Sequence, residues 1–200
     1  MASRWSHLKA DADLALEYGN YEEAEIFWRR ALEELDREES PPVAGGDPRI
    51  PTTYESLADT LCHQDKYQES ELLLERALAY REKYLPFEVD ELIQTISNLY
   101  EVYFKIGKVE RAEELCLRVL SIIEDKEESE RRQVEFKDKT DTLMKNLEVD
   151  ETLGQLLVAE GFSTIEEIKD SEVDNLAKIE GIEEETAKEL VQRAKEFYQK

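Results

Sequence analysis

Three times along this chain a polar or glycine turn is followed by the same run of residues at the same offsets. The copies read Gly19-Asn20-Tyr21 with Ala24, Trp28 and Ala31-Leu32; Asp65-Lys66-Tyr67 with Ser70, Leu74 and Ala77-Leu78; and Gly107-Lys108-Val109 with Ala112, Cys116 and Val119-Leu120. A fixed internal pattern of this kind means one supersecondary unit stacked on copies of itself, because a single unit cannot bury its apolar face alone. Stacks of that sort bind partners far more often than they do chemistry.

The spacing of apolar residues is helical throughout, and no convincing alternating strand occurs. Leu8, Ala12, Ala15 and Leu16 form the stripe of a first helix that stops near Gly19-Asn20. Ala24, Phe27, Trp28, Ala31, Leu32 and Leu35 form the stripe of its antiparallel partner. The stretch 40–48, with Pro41, Pro42, Gly45, Gly46 and Pro48, is the one strong loop signal. Helices are expected to resume over 52–64, 67–85, 88–105 and 109–127, with a further one starting near Ser129. The fold class is all-α.

These hairpins resemble tetratricopeptide repeats, on the glycine or polar turn, the tyrosine, the alanine and the alanine-leucine pair quoted above. The turns at Asp65 and Gly107 lie 42 residues apart, where the common repeat uses about 34. Eight further residues amount to roughly two helical turns, one for each helix of the pair. With Glu-Leu-Leu-Leu-Glu-Arg-Ala-Leu at 71–78, the repeats look like the long kinesin light chain type. The resemblance covers about 3–127 and implies a three-hairpin array over 1–128. It also implies a concave partner-binding face, which in this sequence falls on Lys9, Asp13, Leu16 and Glu17, then Glu55, Asp59, Cys62 and His63, then Ser97, Glu101, Phe104 and Lys105. Only Lys9 fits the pattern that clamps a terminal carboxylate. Asp13, Asp59 and Glu101 stand where that clamp needs an asparagine. The groove expected to bind is therefore acidic, with apolar spots at Leu16 and Phe104, and suits a basic or amphipathic segment.

Residues 129–146 change character, with five basic and four acidic side chains and few apolar ones. They read as a capping helix and linker. The final stretch, 147–200, is a second module of short helices joined by glycine turns. Gly161-Phe162 ends one helix, Ser163 or Thr164 caps the next, and Gly181-Ile182 precedes the last. Its marks, Leu-Val-Ala-Glu-Gly-Phe-Ser-Thr-Ile-Glu-Glu-Ile at 157–168 and Ile-Glu-Gly-Ile at 179–182, closely resemble the acidic helix-hairpin-helix repeats of the bacterial transcription factor NusA. The resemblance implies a protein-binding module, with RNA polymerase or its accessory factors as the class of partner.

Charge narrows the function further. The chain carries 49 acidic and 26 basic residues, a net of -23, which repels nucleic acid phosphates and anionic lipid. Helix-hairpin-helix units that hold a phosphate present the amides of a Gly-apolar-Gly turn. Here the triplet is Gly181-Ile182-Glu183 with Glu184 and Glu185 behind it, so carboxylates stand where donors are required. Neither His7 nor His63 falls in a motif with a nucleophile or metal partner, and no phosphate loop or zinc spacing occurs. No catalytic residue, metal site or cofactor is expected. Cys62 and Cys116 read as reduced thiols, and the absence of a signal peptide or a long apolar run suggests a cytoplasmic protein. The expected role is a non-catalytic adaptor; a nucleic-acid-binding helix-hairpin-helix protein, or a scaffold whose tail only stabilises it, would be the other roles compatible with this architecture.

Overall fold

A computed structural model describes residues 3–37 and 46–199. The expected loop at 40–48 lies outside the described residues except for its last three positions. Among the described residues there are ten helices: α1 (Arg4–Glu17), α2 (Tyr21–Arg37), α3 (Arg49–Cys62), α4 (Tyr67–Tyr84), α5 (Val89–Lys105), α6 (Val109–Leu147), α7 (Glu151–Ala159), α8 (Ile165–Asp170), α9 (Val173–Leu176) and α10 (Glu184–Phe197). The chain divides into two units, Met1–Glu124 and Asp125–Lys200.

In the first unit the three sequence copies become three equivalent turns. Gly19, Asp65 and Gly107 adopt φ of 71°, 59° and 78°, the left-handed conformation that ends a helix and reverses the chain. The next amide then reaches back over the turn in each copy: Asn20 N–H to the Ala15 carbonyl at 2.8 Å, Lys66 to Leu61 at 2.9 Å, and Lys108 to Tyr103 at 2.8 Å. Asp65 is the one non-glycine of the three, and its carboxylate accepts the Tyr67 hydroxyl at 2.9 Å.

Stacking of the hairpins buries one continuous core. Trp28, Ala31, Leu57, Leu61, Leu74, Ile96, Leu99 and Ala112 all belong to it, each large side chain contributing about 1.5–3 kcal/mol relative to exposure. α2 packs on α3, and α4 on α5, so every hairpin rests on the second helix of the one before. Trp5 lies against this core and its indole N–H donates to Thr53 Oγ1 at 2.9 Å.

The stretch 129–146, expected to be a separate capping helix and linker, is instead the continuation of α6. Between Val109 and Leu147 there is no glycine or proline to stop a helix, and i,i+4 pairs such as Glu135–Lys139 at 2.6 Å support the exposed middle. The start of α6 supplies Ala112 and Leu115 to the first core. Its end supplies Leu143 and Leu147, both fully buried, to the second. The second core therefore begins before residue 147, where the change in composition suggests a boundary.

In the second unit α10 packs on α8 and α9 around Leu157, Ile168, Leu176, Ala187 and Leu190. Asp150 caps α7 by accepting the Leu153 amide at 2.8 Å. Thr164 caps α8 in a reciprocal box with Glu167. Arg193 closes the end of α6, donating to the Leu147 and Glu148 carbonyls at 2.8 Å each.

Candidate partner-binding groove

The second and third hairpins enclose a groove of about 320 Å³ between α3 and α5. Six residues expected on the concave face line it, Glu55 and Cys62 among them, and four bring charged or ionisable heads to its opening: Asp59 and His63 from α3 and its C-cap, Glu101 and Lys105 from α5. Tyr67, Leu74, Asn98 and Val102 add to the wall. One turn of helix separates Asp59 from His63, and Glu101 from Lys105, so the four heads reach the same opening.

Their electrostatics differ. Glu101 has no ion pair among the described residues, and Asp59 has only the His63 imidazole at 3.8 Å, a salt bridge when that ring is protonated. His63 is held in place by a face-to-face stack on Tyr21, centroids 4.6 Å apart and planes within 11°. Burial pushes the Cys62 thiol above its ordinary pKa, and its sulfur shares a hydrogen bond with Ser70 Oγ at 3.1 Å. The groove thus offers two uncommitted carboxylates, one lysine at the rim and a half-buried neutral thiol.

Glu55 also lines the groove, yet it is not available. Arg81, only 3% exposed, grips its carboxylate through Nε at 2.8 Å and Nη2 at 3.0 Å, and Thr95 Oγ1 donates to the same group. Arg81 Nη1 reaches Glu88 at 3.0 Å. This network ties α3, α4 and the start of α5 together, and its carboxylate is consumed by the fold. Burial works against the guanidinium charge, and the paired glutamates more than offset it, raising its pKa. The 26 residues between Arg81 and Glu55 hide this partnership from any local sequence signal.

The other expected groove residues are not brought to this opening. Lys9 and Asp13 pair with each other on α1 at 2.6 Å, Leu16 is half-buried, and Glu17 is exposed. Phe104 occupies the register of Cys62 in the last hairpin, where no following hairpin covers it. It is 63% exposed and stacks on Tyr100 with centroids 6.4 Å apart.

The two glycine turns of the second unit have φ of 96° at Gly161 and 98° at Gly181, and Phe162 and Ile182 pack into its core. At the Gly161 turn the released amides are already claimed by a carboxylate. Ser163 and Thr164 N–H groups donate to Glu167 at 2.7 and 3.0 Å, which holds its carboxyl below the usual carboxylate range. Glu183 stands at the N-cap of α10 with Glu184 and Glu185 in the first turn. Lys188 lowers the Glu184 pKa by direct pairing. A phosphate approaching either turn meets negative charge.

Comparison with known proteins agrees with this architecture. Residues 52–87 match the tetratricopeptide repeat model, and residues 141–196 match that of the SAM-like helix-hairpin-helix tandem. Transcription termination/antitermination protein NusA of Rickettsia prowazekii is 44% identical over 75 residues, 38% of this chain and 15% of the relative. NusA of Rickettsia conorii gives the same identity and coverage. The chain thus spans about 15% of the length of the curated relatives it matches. A crystal structure of nearly identical TPR-like repeats, from a Podosopora anserina protein assigned as a kinesin light chain, aligns over 98% of this chain and 97% of its own, with 18% identity and a TM-score of 0.53. Among the described residues no helix is long and apolar enough to cross a membrane. The chain thus has a tetratricopeptide-like helical-repeat fold, with residues 52–87 matching the repeat model, and in its second unit a helix-hairpin-helix domain similar in sequence to part of NusA.

Proposed function

We propose that this protein is a non-catalytic adaptor of the transcription machinery, binding one protein through its repeats and another through its helix-hairpin-helix unit. Repeats of this class are scaffolds for protein interaction. The observation that carries the reading is the groove between α3 and α5, where Asp59 and Glu101 stand without a Lys or Arg partner among the described residues. Glu25, Glu55, Glu71 and Glu75 are all paired. Two free carboxylates on rigid helices favour a basic, amphipathic protein segment, since pre-positioned charge steers such partners. Lys105 at the rim gives the segment a direction.

The second unit carries the link to transcription, through its similarity to NusA. Its turns, one with its amides occupied by Glu167 and the other fronted by Glu183, Glu184 and Glu185, favour a protein surface over nucleic acid. The test is retention of purified bacterial RNA polymerase, with and without accessory factors, on the immobilised full chain. Retention that survives the double substitution Asp59→Lys, Glu101→Lys is the expected result, because polymerase docks on the second unit. Failure to retain any component would remove the transcription role and leave a general scaffold.

A further inference from the structure

The repeat register exposes a second surface, which shares only Glu101 with the groove. Trp28, Leu74 and Cys116 are equivalent, as are Leu32, Leu78 and Leu120. In the first two hairpins the following hairpin covers this face: Trp28 is 1% and Leu74 2% exposed, through the α2–α3 and α4–α5 packing. In the third hairpin Cys116 is exposed and Leu120 is 56% exposed. Between α5 and α6 an apolar trough of about 340 Å³ remains, lined by Ile96, Tyr100, Leu115, Cys116, Val119 and Leu120.

A charge stands at the same register. Glu25 on α2 accepts Lys66 from the next turn at 2.7 Å, and Glu71 on α4 likewise accepts Lys108. The third equivalent is Glu113 on α6. It is exposed and has no partner among the described residues. The trough and its carboxylate together repeat the interface that the fold has already used twice, with the incoming helix and its lysine missing.

We infer that this open face docks an amphipathic helix of another protein, which lays apolar residues into the α5–α6 trough and sets a lysine from its C-terminal turn on Glu113. A second copy of this chain is a poor occupant. Its first hairpin has Asn20 in the place of Lys66 and Lys108, and it would bring Asp11, Glu22 and Glu23 toward Glu113.

The probe is a labelled peptide of residues 88–109, which contains α5 and its turn lysine and natively covers the equivalent face of the second hairpin. Titrated with the full chain and followed by fluorescence anisotropy, it should bind saturably. Leu120→Glu, an exposed position, should weaken binding about tenfold or more with an unchanged thermal melt. Lys108→Glu in the peptide should weaken it similarly, and Glu113→Lys in the protein should recover the Lys108→Glu peptide. The inference fails if no saturable binding occurs, if Leu120→Glu and Glu113→Lys leave affinity unchanged, or if Asp59→Lys alone abolishes it. Self-association in sedimentation velocity that Leu120→Glu removes would assign the face to a second copy, and overturn the partner named here.

Discussion

Lys66 reaches back across the hairpin boundary to place its ammonium 2.7 Å from the Glu25 carboxylate. Arg29 and Gln64 donate to the same glutamate, at 2.9 and 3.0 Å. Burial pushes the Glu25 carboxyl up, but the hydrogen bonds from Lys66, Arg29 and Gln64 more than offset it, so its pKa falls below the usual value. One side chain thus receives the second hairpin onto the first.

The consequence is a defined pH dependence. A carboxyl with a lower pKa in the fold than in the unfolded chain stabilises the fold above the unfolded value, about 4.3, and stops doing so as pH falls through the folded value. Glu25→Gln should lower stability near pH 7 by about 1 kcal/mol, allowing for the partly exposed lysine. The gap between variant and parent should narrow as acid is added and close below the lowered pKa. Urea melts across this range measure it, and a gap that widened in acid would contradict the assignment.

Gly154 lies inside α7 where α6 presses closest. A Cβ there would meet Met144 Cγ at 3.0 Å and Thr140 Cγ2 at 3.2 Å, and Thr140 is itself buried. Gly154→Leu should cost about 2 kcal/mol or more by overpacking. Gly154→Ala should cost far less, because alanine gains about 1 kcal/mol in helix propensity and Met144 can bend away. Thermal melts followed by circular dichroism distinguish the two. Equal effects would mean that the contact tolerates any side chain.

That contact marks the limit of what the sequence shows. The turns at Gly19, Asp65 and Gly107 were legible because left-handed backbone selects few residue types, and the helical stripes because burial selects by face. A cap at Ser163 or Thr164 is legible for the same local reason, and the structure places it at Thr164. A glycine in a helical pattern, however, says nothing of what presses on it. Glu55 shares the register of a groove residue, and only the approach of Arg81 from α4 removes it from solvent. Phe104 holds the register of Cys62 but lies on the last hairpin, where stacking ends. The length of α6 is not legible because its middle, rich in paired charges, looks like a linker by composition while containing nothing that breaks a helix.

The two cysteines are free and should react at different rates. Cys116 is exposed, whereas Cys62 is half-buried with its thiol pKa raised by burial. Because the thiolate is the reactive form, alkylation near neutral pH should modify Cys116 first. Peptide mapping after limited iodoacetamide treatment resolves the order. A partner in the groove should slow Cys62 further and leave Cys116 unaffected; the reverse pattern would place the partner elsewhere.

Nucleic acid should find no site. Non-specific binding by nucleic-acid-binding proteins at physiological salt has Kd of roughly 10⁻⁴–10⁻⁶ M, and this chain, at -23, should fall short of it. Gel shifts with duplex DNA and with RNA check this directly. Micromolar binding would mean that the turn at Gly161 releases its amides against the hydrogen bonds of Glu167, or that the Gly181 turn holds a phosphate despite Glu183, Glu184 and Glu185.

The α3–α5 groove is the centre of the functional account, and charge reversal is its most direct test. A labelled amphipathic helical peptide with lysines on its polar face should bind the full chain, and binding should weaken as salt rises. The double substitution Asp59→Lys, Glu101→Lys replaces two exposed carboxylates, so the melt should not change. Affinity should fall about tenfold or more, roughly 1.4 kcal/mol. Unchanged affinity with an intact melt would show that basic segments bind elsewhere on the molecule, and the groove would lose its assigned role.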